Sequence, residues 1–202
     1  FPRAYIGTGP DKQLWNVGQL LLPLTHYVKQ YPDEEAPARL KRLLEESLPL
    51  FWDPAYGGFT NNLPPVDPKA FTHTIYIFNP AIQVADLALA GNADARRMIT
   101  GYRDRFLHMG RTCGHVFADV LLGDYSHQRF AYQFDNTCAF LYVMMALYEL
   151  SGRSDAECLE AAKAAADRIA DRCMDMMWEV NLPATGAVAC QWLADATGEA
   201  RY

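Results

Sequence analysis

Three glycine-centred segments recur along the chain and restrict its fold more than any other feature. Ala85 to Arg97 reads ADLALAGNADARR, Ala146 to Cys158 reads ALYELSGRSDAEC, and Trp192 to Tyr202 reads WLADATGEARY. In each, a helical pattern runs into a Gly, crosses a few polar residues and resumes. A Gly ends one helix there and a polar residue opens the next. The glycines at 91, 152 and 198 are 61 and 46 residues apart, which fits helical hairpins joined by links of unequal length.

The periodicity predicts helices over 12–30, 35–50, 71–90, 93–109, 135–151, 154–175 and 187–197, with another opening near Glu199. Tyr31-Pro32-Asp33 separates the first pair, because Pro cannot extend the helix before it yet suits the first turn of the next. Asn79-Pro80 predicts a kink inside 71–90. The turns at Tyr31, Gly91, Gly152 and Gly198 are short, whereas the links at 51–70, 110–134 and 176–186 are long and rich in Gly, Pro, Asn and aromatics. In up-and-down hairpins the short turns gather at one end and the long links at the other, and function is expected at the link end. Helices 71–90 and 135–151 are apolar nearly all round, whereas 35–50 and 154–175 carry a charged face. A helix apolar on every side is buried on every side. Inner and outer helices therefore alternate. The expected fold class is all-α, an (α/α) toroid of helical hairpins forming a single domain over 1–202, with a stacked solenoid as the alternative.

Composition removes several function classes. Half of the 202 residues are apolar, enough for a large core without disulfides or metal. Lys and Arg number 18 against 24 Asp and Glu, a net charge of -6 with no basic block, so no nucleic-acid partner is expected. No apolar run approaches the roughly 18 residues of a membrane span, so no membrane partner is expected either. The five cysteines, at 113, 138, 158, 173 and 190, are odd in number and form no C-x-x-C pair, and read as free thiols of a reducing, cytoplasmic compartment. The start shows no signal segment, and Phe1 in place of Met is consistent with processing or truncation. There is no H-E-x-x-H, no His pair at i, i+4, no glycine-rich phosphate loop and no G-x-S-x-G. Neither a metal nor another cofactor is expected.

Four polar-aromatic segments could carry chemistry. Trp52-Asp53-Pro54-Ala55-Tyr56-Gly57-Gly58-Phe59 opens the first long link. Trp52, Asp53 and Tyr56 could stack on and hydrogen-bond a sugar ring. The same residues also make a tight turn, with Asp53 bonding the backbone. His73 stands at the predicted start of an inner helix, where the helix N-terminus would lower its pKa and suit it to base or acid work; a capped, structural His is the alternative. Between 113 and 136 lies the densest polar cluster, from which His127, Tyr132, Asp135 and Asn136 are the candidate ligand contacts. Asp135 could equally serve as the N-cap of the helix that follows. Trp178-Glu179 opens the third link, offering a platform beside a proton donor whose pKa a dry pocket would raise.

Lys12-Gln13-Leu14-Trp15-Asn16-Val17-Gly18-Gln19 on a helix, followed by Phe51 to Phe59, then Phe71 to Leu89 and a Gly turn, resembles the N-acylglucosamine 2-epimerase group of the six-hairpin (α/α) clan. The likeness covers roughly residues 12–100 and continues as generic hairpins. It implies a partial or truncated six-hairpin barrel, to be completed by further C-terminal hairpins or a homo-oligomer, and it implies sugar chemistry. Those epimerases carry an Arg after the Gly where this chain has Gln19. The expected function is a carbohydrate-active enzyme, a sugar epimerase, isomerase or glycoside hydrolase, using His73, Asp135 and Glu179 as acid–base groups. Its substrate is expected to be a sugar or polyol, held by Trp52, Asp53, Tyr56, His127, Tyr132, Asn136 and Trp178. The alternatives are a toroid enzyme acting on a terpenoid, suggested by Cys138, Phe140, Tyr142, Met144 and Met145, and a non-catalytic binding module, suggested by Gln19.

Overall fold

In chain order the elements are α1 (Glu35–Arg42), β1 (Trp52–Asp53), β2 (Gly58–Phe59), β3 (Phe71–His73), α2 (Ile75–Leu89), α3 (Ala93–Gly101), α4 (Arg103–Thr112), β4 (Asp119–Leu121), α5 (Phe134–Leu150), α6 (Ala156–Arg172) and α7 (Asn181–Thr197). They come from a computed structural model that describes residues 75–114, 134–172 and 181–202 as continuous stretches. It also describes 35–42, the four strand pieces, and positions 24, 27, 28, 30, 31, 46 and 50. Helix dominates these residues, and the strands are only two or three residues long.

The glycine turns close by backbone hydrogen bonding that needs a left-handed residue. Gly91 has φ 94° and Gly152 φ 68°. After α2, the Gly91 amide donates to Ala88 O (3.0 Å) and the Asn92 amide to Leu87 O (3.0 Å). After α5, the Gly152 amide donates to Glu149 O (2.9 Å) and the Arg153 amide to Tyr148 O (3.0 Å). Both are Schellman closures, in which the last carbonyls of the helix find donors just past its end. The third turn is built differently: Gly198 (φ 73°) donates to Ala194 O at 2.8 Å, the single bond of the αL closure. The next helices start on side-chain caps. Asn92 accepts from the Ala95 amide at 2.9 Å and Asp155 from the Cys158 amide at 3.2 Å.

Contacts between helices show how the hairpins are laid side by side. Phe78 meets Phe140 near the starts of α2 and α5, while Asp86 meets Tyr142 further along both. Gly186 abuts Cys138, and Trp192 stacks on Tyr142, in the same order along α7 and α5. α2, α5 and α7 are therefore parallel neighbours with α5 in the middle, and α6 and α3 also pack on α5. Every described residue of α5 from Asn136 to Tyr148 is buried, as its apolar circumference requires. Phe78, Tyr102, Phe106 and Phe140 are the largest side chains sealed in this core, each 1% exposed or less. The Arg96 guanidinium of α3 donates to the Leu150 carbonyl at 2.6 Å, so the Gly91 and Gly152 turns share one end of the layer. At the other end, β3 immediately precedes α2 and pairs antiparallel with β4, which joins the first and second long links.

Several boundaries differ from the sequence expectation. The segment expected to open an inner helix at 71 begins instead with strand β3, and the helix starts at Ile75, so His73 lies on a strand and not at a helix N-terminus. α5 starts at Phe134, which makes Asp135 a residue of the first turn and not the cap. α7 starts at Asn181, six residues earlier than the pattern suggested, because Pro183 falls in a first turn whose amides have no helical partner anyway. The helix expected over 93–109 is broken at Tyr102 into α3 and α4. Of the helix expected at 12–30, the described positions 24, 27, 28 and 30 are helical and the rest lies outside the described residues.

An ion cluster ties the outer helices together. Arg103 Nε donates to Asp155 Oδ2 at 2.5 Å and its NH2 group to Asp155 Oδ1 at 2.7 Å and to Glu157 at 2.7 Å. These hydrogen bonds hold the Asp155 carboxyl well below the usual carboxylate range. Asp155 thus caps α6 and grips α4 with one side chain. Asn caps a helix about as well as Asp, so Asp155→Asn removes the charge and keeps the cap. It is expected to lower stability by about 1 kcal/mol at pH 7. The native-state pKa is depressed, so this contribution is complete above the unfolded value of about 3.9 and is lost as pH falls below it. Denaturant titrations at pH 7 and pH 3 should show the two proteins converging in acid.

Gly186 carries a second expectation. A Cβ at this position would lie 2.6 Å from Cys138 Sγ and 2.8 Å from Cys138 Cβ, so only Gly lets α7 approach α5 this closely. Gly186→Ala is expected to cost about 1–3 kcal/mol by overpacking. Thermal unfolding of the variant alone and combined with Cys138→Ala checks it, the double variant recovering part of the loss.

Candidate functional site

Two short ladders accompany the helices, and one of them, β3 on β4, lies at the link end. β1 pairs antiparallel with β2 in the register Trp52 to Phe59 and Asp53 to Gly58. The tight turn that was the structural alternative for that motif falls on residues 54–57, outside the described residues. β3 pairs with β4 in the register Phe71 to Leu121, Thr72 to Val120 and His73 to Asp119. The pairing sets His73 across from a carboxylate-bearing residue of the second link, directly before α2. Within α5, Asn136 and Thr137 are buried in the first turn, both with 0% exposure. Asp135 is the second residue of the same turn, where a negative charge favours the helix dipole.

Of the residues singled out from sequence, Trp52 and Asp53 lie on β1, His73 on β3, and Asp135 and Asn136 at the start of α5. His73 stands directly before α2, and Asp135 and Asn136 stand in the first turn of α5. Tyr56, His127, Tyr132, Trp178 and Glu179 lie outside the described residues. The run Cys138, Phe140, Tyr142, Met144 and Met145 is core, with exposures from 0% to 8%. Those apolar side chains fill the space between helices, the packing role that their spacing also allowed.

One group escaped the sequence reading. Asp86 of α2, Tyr142 of α5 and Trp192 of α7 meet where the three parallel helices adjoin. The Tyr142 hydroxyl donates to the Asp86 carboxylate. The rings of Tyr142 and Trp192 lie 5.0 Å apart at 37°. Burial, and then the hydrogen bond to Asp86, push the Tyr142 phenol well above its ordinary pKa, so it stays a proton donor at neutral pH. Asp86 and Trp192 both keep part of their surface exposed. Asp86 sits in the run ADLALA, which reads as core with one polar residue, and only the meeting of three helices gives it a setting.

Elsewhere, a groove of about 340 Å³ lies between α4 and α6, lined by Leu107, Arg111, Ala156, Glu157, Glu160 and Ala161. Its charges are engaged with one another: Glu157 is bound by Arg103 and Arg111, and Glu160 accepts from Lys163 at 3.0 Å. Among the described residues no group of three or more His, Cys, Asp or Glu is placed to hold a metal ion. No described helix is long and apolar enough to cross a membrane. No family model, curated protein or solved structure matches the chain.

The described cysteines are packing residues: Cys113, Cys138 and Cys158 are buried and Cys190 is half-buried, whereas Cys173 lies outside the described residues. Burial pushes the Cys113 thiol up to about 12, and burial together with Asp155 does the same for Cys158. A thiol reacts as its thiolate, so neither is a nucleophile near neutral pH. A chromogenic disulfide reagent at pH 8 should leave Cys113 and Cys158 unmodified in the folded chain and label them once denaturant is added, with peptide mapping to identify the sites.

Proposed function

We propose that the chain is a carbohydrate-active enzyme that works by general acid–base catalysis on a sugar or polyol, in a cavity at the link end of a partial (α/α) toroid. The observation that carries this reading is the register of β3 on β4. It brings two polar links, distant in sequence, to the end of the layer where α2 and α5 begin, and it pairs the position of His73 with that of Asp119. His and Asp are residue types suited to moving a proton near neutral pH. Asp135, at the start of the neighbouring inner helix, supplies a second carboxyl on the same end. Glu179, just ahead of the third inner helix, completes the proposed acid–base set. Such groups suit epimerisation or isomerisation next to a carbonyl, or cleavage of a glycosidic bond, since each needs one proton removed and another delivered. The fold supports the reading in one further respect: three inner helices in parallel present their starts to one region, the arrangement a hairpin toroid needs around its cavity.

The test begins with a thermal-shift screen across hexoses, N-acetylhexosamines and hexitols to select a ligand, since a ligand at many times its Kd raises the melting temperature measurably. On the sugar selected, His73→Gln, Glu179→Gln and Asp135→Asn are each expected to lower turnover by about 10²–10⁴-fold. Their melting temperatures should stay close to that of the parent, Asp135→Asn losing about 0.3–1 kcal/mol of helix-dipole stabilisation. Unchanged turnover in all three variants would refute acid–base catalysis at this end and leave a non-catalytic binding module.

A further inference from the structure

We infer that the groove between α4 and α6 binds a free α-amino acid with an aliphatic side chain, its carboxylate on Arg111 and its ammonium on Glu160. The inference goes beyond the proposed sugar chemistry and does not depend on it. The groove runs along the first two turns of α6, which begins just past the Gly152 turn, away from the β3–β4 ladder. Its volume of about 340 Å³ falls at the lower end of the range of small-molecule sites.

Small side chains make the gap and an ion pair holds it. Arg103, Leu107 and Arg111 follow at four-residue spacing on α4 and share one face. Across from them, α6 lines the groove with Ala156, Glu157, Glu160 and Ala161. The alanines end at Cβ, so with Leu107, itself only 4% exposed, they form an apolar floor with open space above it. Glu157 reaches over to α4, where its two oxygens accept from Arg103 at 2.7 Å and from Arg111 at 2.6 Å, one turn to either side of Leu107. The two helices are thereby fixed at a separation that the side chains between them do not fill.

Two charged groups on the rim have hydrogen-bonding capacity beyond their present partners. A guanidinium carries five N–H donors, and Arg111 uses one terminal nitrogen on Glu157. A carboxylate has about four lone-pair positions, and Glu160 accepts from Lys163 through Oε1 at 3.0 Å. Both side chains are mostly exposed, at 62% and 69%, so a ligand can reach them without either ion pair breaking. Glu157, with both oxygens engaged, positions Arg111 and is not an anchor. A cation on one wall, an anion on the other and apolar surface between them complement a molecule that carries a carboxylate, an ammonium and an aliphatic group on one carbon. Pairing of a guanidinium with a carboxylate also fixes the orientation of the ligand. A ligand with one charge only would match one wall and meet its own sign on the other.

The test uses the full chain with L-leucine and three molecules that each lack one part of it: 3-methylbutylamine without the carboxylate, 4-methylpentanoate without the ammonium, and glycine without the side chain. Proton–nitrogen correlation spectra report binding through the amides of Ala156, Glu157, Glu160 and Ala161. L-Leucine is expected to shift these amides saturably with a Kd of about 1 mM, because exposed charge contacts are individually weak. Each of the other three should bind at least about tenfold more weakly. Arg111→Gln and Glu160→Gln should each weaken L-leucine by about tenfold, with Arg103 keeping its hold on Glu157 in the first. Ala156→Trp puts an indole into the groove and should abolish binding. Thermal unfolding checks that each variant is folded, and His73→Gln should bind L-leucine as the parent does, so the acid–base reading is judged separately. No saturable L-leucine shift at about ten times that Kd, or binding unchanged in all three groove variants, would overturn the site. Equal binding of 3-methylbutylamine or of 4-methylpentanoate would overturn the ligand class in favour of an amine or an anion, and equal binding of glycine would overturn the role of the apolar floor.

Discussion

The burial of α5 is the constraint on which the rest of the structure depends. A helix apolar around its whole circumference has no face to offer water and must be enclosed by other elements. α2 and α7 flank it, while α6 and α3 also pack against it. That enclosure forces α2 and α7 alongside α5, and the long links then have to return the chain to the same end each time. The parallel order of the three inner helices is thus a result of covering one apolar rod with helical hairpins.

Close packing around this rod has different solutions along its length. Near the start of α5, α7 comes in so tightly that a Gly is needed opposite Cys138. Further along, the separation is wide enough for the rings of Tyr142 and Trp192 to fit between the axes. At the far end, Arg96 donates to the last carbonyl of α5 and Asp155 both caps α6 and binds Arg103. One hairpin end is therefore secured by charge and capping, and the other by backbone pairing between links.

Helix identity was legible in the sequence because the 3.6-residue period is long-lived and the glycine turns are chemically distinctive. Gly91, Gly152 and Gly198 all take the left-handed conformation their position suggested. Starts were less legible. Phe71-Thr72-His73 continues the apolar pattern of α2 backward, yet its aromatic and β-branched residues favour extended backbone once a partner strand exists. That partner, Asp119–Leu121, is remote and has no local signature of its own. At α7, Pro183 and Gly186 look like link residues. One is tolerated in a first helical turn and the other is demanded by a neighbouring helix, a fact no local pattern contains. The candidate site was legible as polar segments. The register of His73 on Asp119, and the meeting of Asp86, Tyr142 and Trp192, exist only in three dimensions.

The short ladder of β3 on β4 also bears on the order in which the chain acquires its structure. The glycine-turn hairpins close between near neighbours in sequence, and such contacts cost little loop entropy and form early. The ladder joins positions 73 and 119 through only three residue pairs, so it must close a long loop for a small return in hydrogen bonds. Among the described elements it is the last to be worth forming and the first whose loss the remainder can tolerate. The helical body can therefore persist as a cooperative unit while the ladder itself opens and recloses. Loss of the ladder then follows from uneven local stability, and requires no rigid-body motion of the helices.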